Sequence, residues 1–210
     1  MISEIQSRKQ ALFYEIDKHL LYDDKPSGFF KKLMENDLFK NEYPFTLISR
    51  LEKTEQSPTH HPEGSVWNHT LLVLDNAARV KTFSRESRVF MWSALLHDLG
   101  KATTTKLRKG RITSYNHDIE GEKLAVSLLE YFNEDKIFTE KVARMVRWHM
   151  QILFVTKNLP FSNIEKMKEE VDIEEIALLG LCDRLGRGME QDVENEIKVM
   201  ENFINVCRNN

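Results

Sequence analysis

The sequence predicts an all-α protein, and three observations carry that prediction. Apolar residues recur at three- and four-residue spacing through almost the whole chain. No stretch alternates apolar and polar residues for long enough to build a sheet, and no internal repeat is present. Only five prolines and eight glycines interrupt 210 residues. That length suits one well-packed core with a smaller helical appendage, divided as residues 1–55 and 56–210.

Taken in order, helices are expected near 3–21 and 27–36, parted by Lys25-Pro26-Ser27-Gly28, and near 45–52. The stretch from Ser57-Pro58 to Pro62-Glu63-Gly64 breaks the chain before a helix near 65–82, whose apolar stripe runs Val66, Thr70, Val73, Ala77, Val80. The apolar run near 86–99 stops at Gly100, a residue suited to a helix C-terminus. The span 103–115, with Lys109-Gly110 at its middle and Ile112, Thr113 and Tyr115 after it, is the one place for a small β-hairpin. Helices resume near 118–132 and near 137–150, where Val142, Met145 and Val146 share a face. Beyond Leu159-Pro160 they are expected near 163–169, 173–186 and 189–207. The heptad-like spacing in 1–55 and 189–207 predicts packing or self-association helices, so a homodimer is an expectation.

Charge and composition exclude several function classes. The formal charge of −3 gives no general pull towards nucleic acid or anionic lipid. Its distribution is uneven: Lys101, Lys106, Arg108, Lys109 and Arg111 fall together with no acidic residue among them. That basic loop acquires a functional meaning only if it borders a site for phosphate. Cys182 and Cys207 form no C-x-x-C pair and no disulfide framework, which fits a reduced cytoplasm. The first ten residues lack the apolar core of a signal peptide and no stretch approaches the ~20 apolar residues of a membrane span, so a cytoplasmic protein without a membrane partner is expected. The absence of a Gly-rich phosphate loop disfavours a nucleoside triphosphatase or a Rossmann enzyme.

Ionisable residues placed on the apolar stripes point to the chemistry. His69 follows Val66 by three residues, His149 continues the face of Val142, Met145 and Val146, and Asp183 falls seven residues after Ile176. A single inward histidine is more often a hydrogen-bonded core residue than a ligand. An inward aspartate is harder to dismiss, because a buried unpaired carboxylate costs several kcal/mol and is normally paired or bound to metal. The fourth element is Ala94-Leu95-Leu96-His97-Asp98-Leu99-Gly100-Lys101, where an apolar helix ends in a His-Asp pair. Adjacent helical residues point about 100° apart, so both can face one cation only if it sits off the helix to one side, a geometry that the end of a helix allows.

These residues resemble the HD superfamily of metal-dependent phosphohydrolases, with His69, His97-Asp98 and Asp183 in the places of its signature. The segments His61 to Thr70, Ala94 to Thr104 and Cys182 to Arg187 are similar to the HD domain attached to bacterial CCA-adding tRNA nucleotidyltransferases, over roughly residues 44–190. The nucleotidyltransferase head has no counterpart in residues 1–43, so the resemblance carries hydrolysis and not CCA addition. It implies an HD-domain helical bundle that cleaves phosphomonoesters, or 2′,3′-cyclic and other phosphodiesters of nucleotides, by attack of a metal-bound hydroxide. The alternative is a non-catalytic module that binds a nucleotide or an RNA end in the same pocket.

Carried over by position, the resemblance makes His69, His97, Asp98 and Asp183 the metal ligands, with Asp98 also orienting the nucleophile. That imidazole and carboxylate set suits Mn, Fe, Co, Ni or Zn, as one ion or two. His117 and His149 lie in the interval where a second metal is held in some HD proteins, or they grip the substrate phosphate. Lys101 is expected at the reaction centre, and His61, Arg184 and Arg187 at the substrate, a small phosphorylated molecule such as a nucleotide. Trp67, Trp92 and Trp148 are read as core, and His19 and His60 as having no part in the site.

Overall fold

Helix-period apolar spacing dominates the chain, and a computed structural model, which describes residues 4–188 and 192–210, is accordingly helical. Expected helical residues 3 and 189–191 lie outside the described residues. In order come α1 (Glu4–Tyr22), α2 (Ser27–Leu33), α3 (Asp37–Asn41) and α4 (Thr46–Ser49), the last continued by a 3₁₀ turn over Arg50–Lys53. Then follow α5 (Val66–Val80), α6 (Ser87–Leu96), α7 (Lys101–Thr104), α8 (His117–Tyr131), α9 (Lys136–Trp148), α10 (Gln151–Thr156), α11 (Ile164–Glu170), α12 (Ile173–Leu185) and α13 (Val193–Asn209). Between α7 and α8, strands β1 (Lys106–Arg108) and β2 (Arg111–Thr113) pair antiparallel, with Lys106 opposite Thr113, Leu107 opposite Ile112, and Arg108 opposite Arg111.

Local signals explain where several of these helices start. Ser65, Asp135, Asn163, Asp172 and Asp192 each accept a hydrogen bond from a backbone N–H in the first turn of the helix they precede. Such caps are worth about 1 kcal/mol each. The short helices α3, α7 and α10 were not expected. Each is under two turns, too brief to imprint a periodicity on the sequence.

The core is a layer of α5, α6 and α9, with α8 against α9, α12 against α5, and α13 against α12. Helix α1 lies on α6 and buries Leu12, Phe13, Ile16 and Leu20. Phe13 stacks on Trp92 and on Phe132, and Trp92 Nε1 donates to Asp17 Oδ1 at 2.6 Å. All three tryptophans are buried, as their helical positions predict.

Gly100 corrects one expectation. Its φ of −67° is right-handed, so it does not close a helix in the left-handed conformation. What it permits is contact: a Cβ there would sit 2.1 Å from the His117 carbonyl oxygen. Only glycine lets the first turn of α8 lie against the His97-Asp98 turn.

Candidate metal centre and cavity

Three histidines enter the site by one local device. His97 follows the last residue of α6, His149 follows the last residue of α9, and His117 opens α8. Each Nδ1 lies against the carbonyl oxygen three residues earlier: Ala94 at 2.8 Å, Val146 at 2.6 Å and Ser114 at 2.7 Å. A carbonyl only accepts, so Nδ1 carries the proton in each ring and Nε2 presents a lone pair inwards.

His69, on the buried face of α5, is held by distant groups. Its Nδ1 is 3.2 Å from the Gly186 carbonyl and 3.0 Å from Glu63 Oε1, and its Nε2 is 2.8 Å from Asp183 Oδ1. Asp98 lies between the rings. Its Oδ2 is 3.3 Å from His97 Nε2 and 3.9 Å from His69 Nε2, while its Oδ1 is 3.4 Å from His117 Nε2 and 3.8 Å from His149 Nε2. One carboxylate therefore faces two pairs of imidazoles, one pair to each oxygen.

Two observations fit this cluster to a cation. His97 Nε2 is buried with no hydrogen-bond partner, a condition that ordinarily costs about 1–3 kcal/mol. The Nε2 atoms of His117 and His149 are 3.2 Å apart, so with both Nδ1 atoms protonated two lone pairs oppose each other unless a positive centre lies between them. Nδ1 anchored to an acceptor with Nε2 left free is the arrangement of metal-binding imidazoles. His69, His97 and Asp98 could hold one ion, and Asp98, His117 and His149 another.

The surrounding charges act unequally on the two sides. Burial opposes charge on Asp98, yet the neighbouring Lys101 and His97 hold its carboxyl well below the usual range. Burial alone would depress His69, but hydrogen bonds to Asp183 and Glu63 raise it to about 9. Asp183 is lowered against the effect of its own burial by the His69 contact, and Glu63 falls to about 2 through His69 and the Gly188 N–H. On the other side burial and the neighbouring rings of His117 and His97 push His149 down to about 4, and burial also lowers His117.

A cavity of about 540 Å³ opens onto the cluster at Asp98, His117, His149 and Asp183. Gln56, His60 and His61 line it, as do Ile112 of β2 and the following Ser114, the apolar Met150, Ile152 and Leu153, and the cationic Lys101, Lys157, Arg184 and Arg187. His61 borders it as expected, with Nδ1 against Glu63 Oε1 at 2.8 Å; burial, with the charges of Lys101 and His69, lowers it to about 4. His60, assigned no part from sequence, lines the cavity as well.

The cationic residues separate. Lys101 Nζ lies 2.7 Å from Asp98 Oδ2, an ion pair by distance whose angle falls outside hydrogen-bond alignment, and donates to Gln56 Oε1 at 2.8 Å. It braces Asp98 before it can meet a substrate. Arg184 reaches the cavity wall but its guanidinium is ion-paired to Glu196 on α13. Arg187 lines the cavity, and its buried Nε has no hydrogen-bond partner among the described residues.

Sequence reasoning missed Glu63 and Gln56. Glu63 holds His61, His69 and the backbone N–H of Gly188, and a Cβ on Gly188 would sit 2.8 Å from the Glu63 Cβ. Nothing local marks it: Glu63 sits in a Pro-Glu-Gly turn that reads as a break before α5.

A family model described as "HD domain" matches residues 66–188, a span that takes in all six clustered ligand candidates. Curated relatives named "Multifunctional CCA protein" match as well. That of Methylococcus capsulatus is 34% identical over 129 residues, covering 61% of this chain and 28% of the relative. That of Alkalilimnicola ehrlichii is 30% identical over 142 residues, 68% of this chain and 32% of the relative. That of Pseudomonas fluorescens is 28% identical over 187 residues, 85% of this chain and 43% of the relative. The chain spans about a third of the length of the first two relatives. No helix among the described residues is long and apolar enough to cross a membrane.

Proposed function

We propose, for a chain that belongs to the HD domain family of metal-dependent phosphohydrolases, that it hydrolyses a phosphomonoester or a 2′,3′-cyclic or other phosphodiester of a nucleotide. The observation that carries this reading is the convergence of imidazole Nε2 atoms, their Nδ1 atoms anchored, on the two oxygens of Asp98 at the floor of a cavity. His69, His97, Asp98 and Asp183 would hold one divalent transition ion, and Asp98 with His117 and His149 a second. When bound, such an ion acidifies water and polarises a phosphoryl oxygen.

The chain's own groups do the rest. Lys101 and the burial-resistant ionisation of Asp98 keep that carboxylate a ligand rather than an acid. Glu63 and the Gly186 carbonyl hold His69 in one tautomer and one orientation. Arg187 is the better candidate for the phosphoryl oxygens, because Arg184 is already neutralised by Glu196. The apolar wall at Ile112, Met150, Ile152 and Leu153 suits the face of a base.

Metal content by elemental analysis, with turnover of bis-p-nitrophenyl phosphate, 2′,3′-cyclic AMP and a panel of mononucleotides, tests this. Metal-loaded protein should turn over at least one of them, and Asp98→Ala should lose both metal and activity, by about a thousandfold or more. No metal and no turnover with several transition ions would remove the enzymatic reading. Full activity in Asp98→Ala would remove the site assignment.

A further inference from the structure

The hairpin between α7 and α8 has no structural task that accounts for its charge. Lys106, Arg108, Lys109 and Arg111 are all exposed, and among the described residues none of them makes an ion pair. No acidic residue occurs between Lys101 and His117, so the cations are not balanced locally. The ribbon is attached to the site at both ends. Lys101 is paired with Asp98 before it, Ile112 and Ser114 line the cavity, and His117 enters the cluster after it.

Its register divides its surfaces. Cross-strand partners share a face, so Leu107 lies with the cavity-lining Ile112, and Lys106, Arg108, Arg111 and Thr113 lie on the other. Leu107 is nonetheless 74% exposed, and Tyr115, 58% exposed, carries the Arg108 guanidinium 4.9 Å from its ring centroid. An uncovered apolar side chain and a guanidinium-capped aromatic beside unpaired cations are what successive bases and phosphates of a single strand engage. The ribbon is only about 5 Å across between strands, so long lysine and arginine side chains can bring charge round its edge.

We infer that this hairpin is a docking surface for a single-stranded polynucleotide whose terminal phosphate enters the cavity. The substrate class is thus the phosphorylated end of an oligoribonucleotide rather than a free nucleotide. The inference rests on the phosphohydrolase reading for what happens at the end of the strand, but the surface binds without turnover and is tested by binding. None of the four cations lines the cavity, so a single mononucleotide held there leaves them without an anionic partner, whereas a strand supplies one phosphate for each.

Fluorescence anisotropy of a labelled short single-stranded oligoribonucleotide with a 3′-phosphate, titrated with the full chain at several salt concentrations, gives the test. With four cations engaged, the logarithm of the association constant should fall against the logarithm of salt with a slope of roughly −3. Replacing Lys106, Arg108, Lys109 and Arg111 by Gln should weaken binding roughly ten- to a hundredfold at low salt. Metal content and bis-p-nitrophenyl phosphate turnover should stay within about twofold in that variant. The charge-keeping pair Arg108→Lys and Arg111→Lys should retain binding, which separates charge from folding. Binding no tighter than that of a mononucleotide, equal binding by the neutral variant, or binding to phosphatidylserine vesicles in place of RNA would each overturn the inference. Tight, salt-dependent RNA binding without turnover would support the surface while counting against hydrolysis.

Discussion

The two sides of Asp98 are built from similar rings and opposite electrostatics. Towards Oδ2 stand His69 and His97 with two further carboxylates close by, Asp183 on His69 Nε2 and Glu63 on its Nδ1. Towards Oδ1 stand His117 and His149, whose Nδ1 atoms meet only neutral carbonyls. His69 is accordingly raised to about 9, whereas burial and its neighbouring rings take His149 to about 4. The first side attracts positive charge strongly, and the second tolerates it mainly through Asp98, with lesser help from Asp118 on His117 and Asp183 on His149. Two ions bound here should therefore have very different affinities.

The largest expected effect breaks the first side. Asp183→Ala should abolish tight metal binding and lower turnover by about a thousandfold, since metal catalysis is worth several kcal/mol. His149→Ala should leave one tightly bound ion by elemental analysis and lose much less activity. Equal losses from the two would remove the asymmetry.

A smaller effect tests the distant brace. Glu63→Gln keeps a hydrogen-bond acceptor for His69 but removes the charge, and affinity for the tight ion should fall about 10–100-fold, measured by competition with a fluorescent chelator. No change would mean that Glu63 only ties Gly188 to the loop.

The gentlest perturbation is pH. In chelator-stripped protein His69 holds its proton up to about 9, and an entering ion must displace it. Affinity at the tight side should therefore fall about tenfold for each pH unit below 9, while a ring such as His149, already neutral above about 4, adds no such dependence near neutrality. The same shift has a signature in stability. A histidine raised above its unfolded value of about 6.5 stabilises fully below that pH and loses the contribution as pH rises through about 9. The stripped protein should melt at progressively lower temperature across that window, and metal-loaded protein should not.

The main helices were legible because their stripes are long; α5, α9 and α12 each present enough apolar turns to reveal an inward His or Asp. The direction of His69 was legible on its stripe, but no anchor of any ring was: His97, His117 and His149 set Nδ1 against a carbonyl three residues back, which only the turn geometry reveals. His69 takes its anchors from Glu63, in a loop that reads as a break, and from Gly186, 117 residues on. Arg184 and Arg187 looked alike in sequence, and only the Glu196 partner of one separates them.

What the sequence determined by itself is the all-α class, the family signature and the inward direction of the candidate ligands on long helices, because a helix's period sets direction locally. What the tertiary structure decided is how charge is shared: which oxygen of Asp98 serves which rings, which arginine is ion-paired among the described residues, and that a basic hairpin borders the cavity. Those are distances between segments far apart in the chain. They depend on how closely helices can approach, as at Gly100 and Gly188, and no periodicity encodes that.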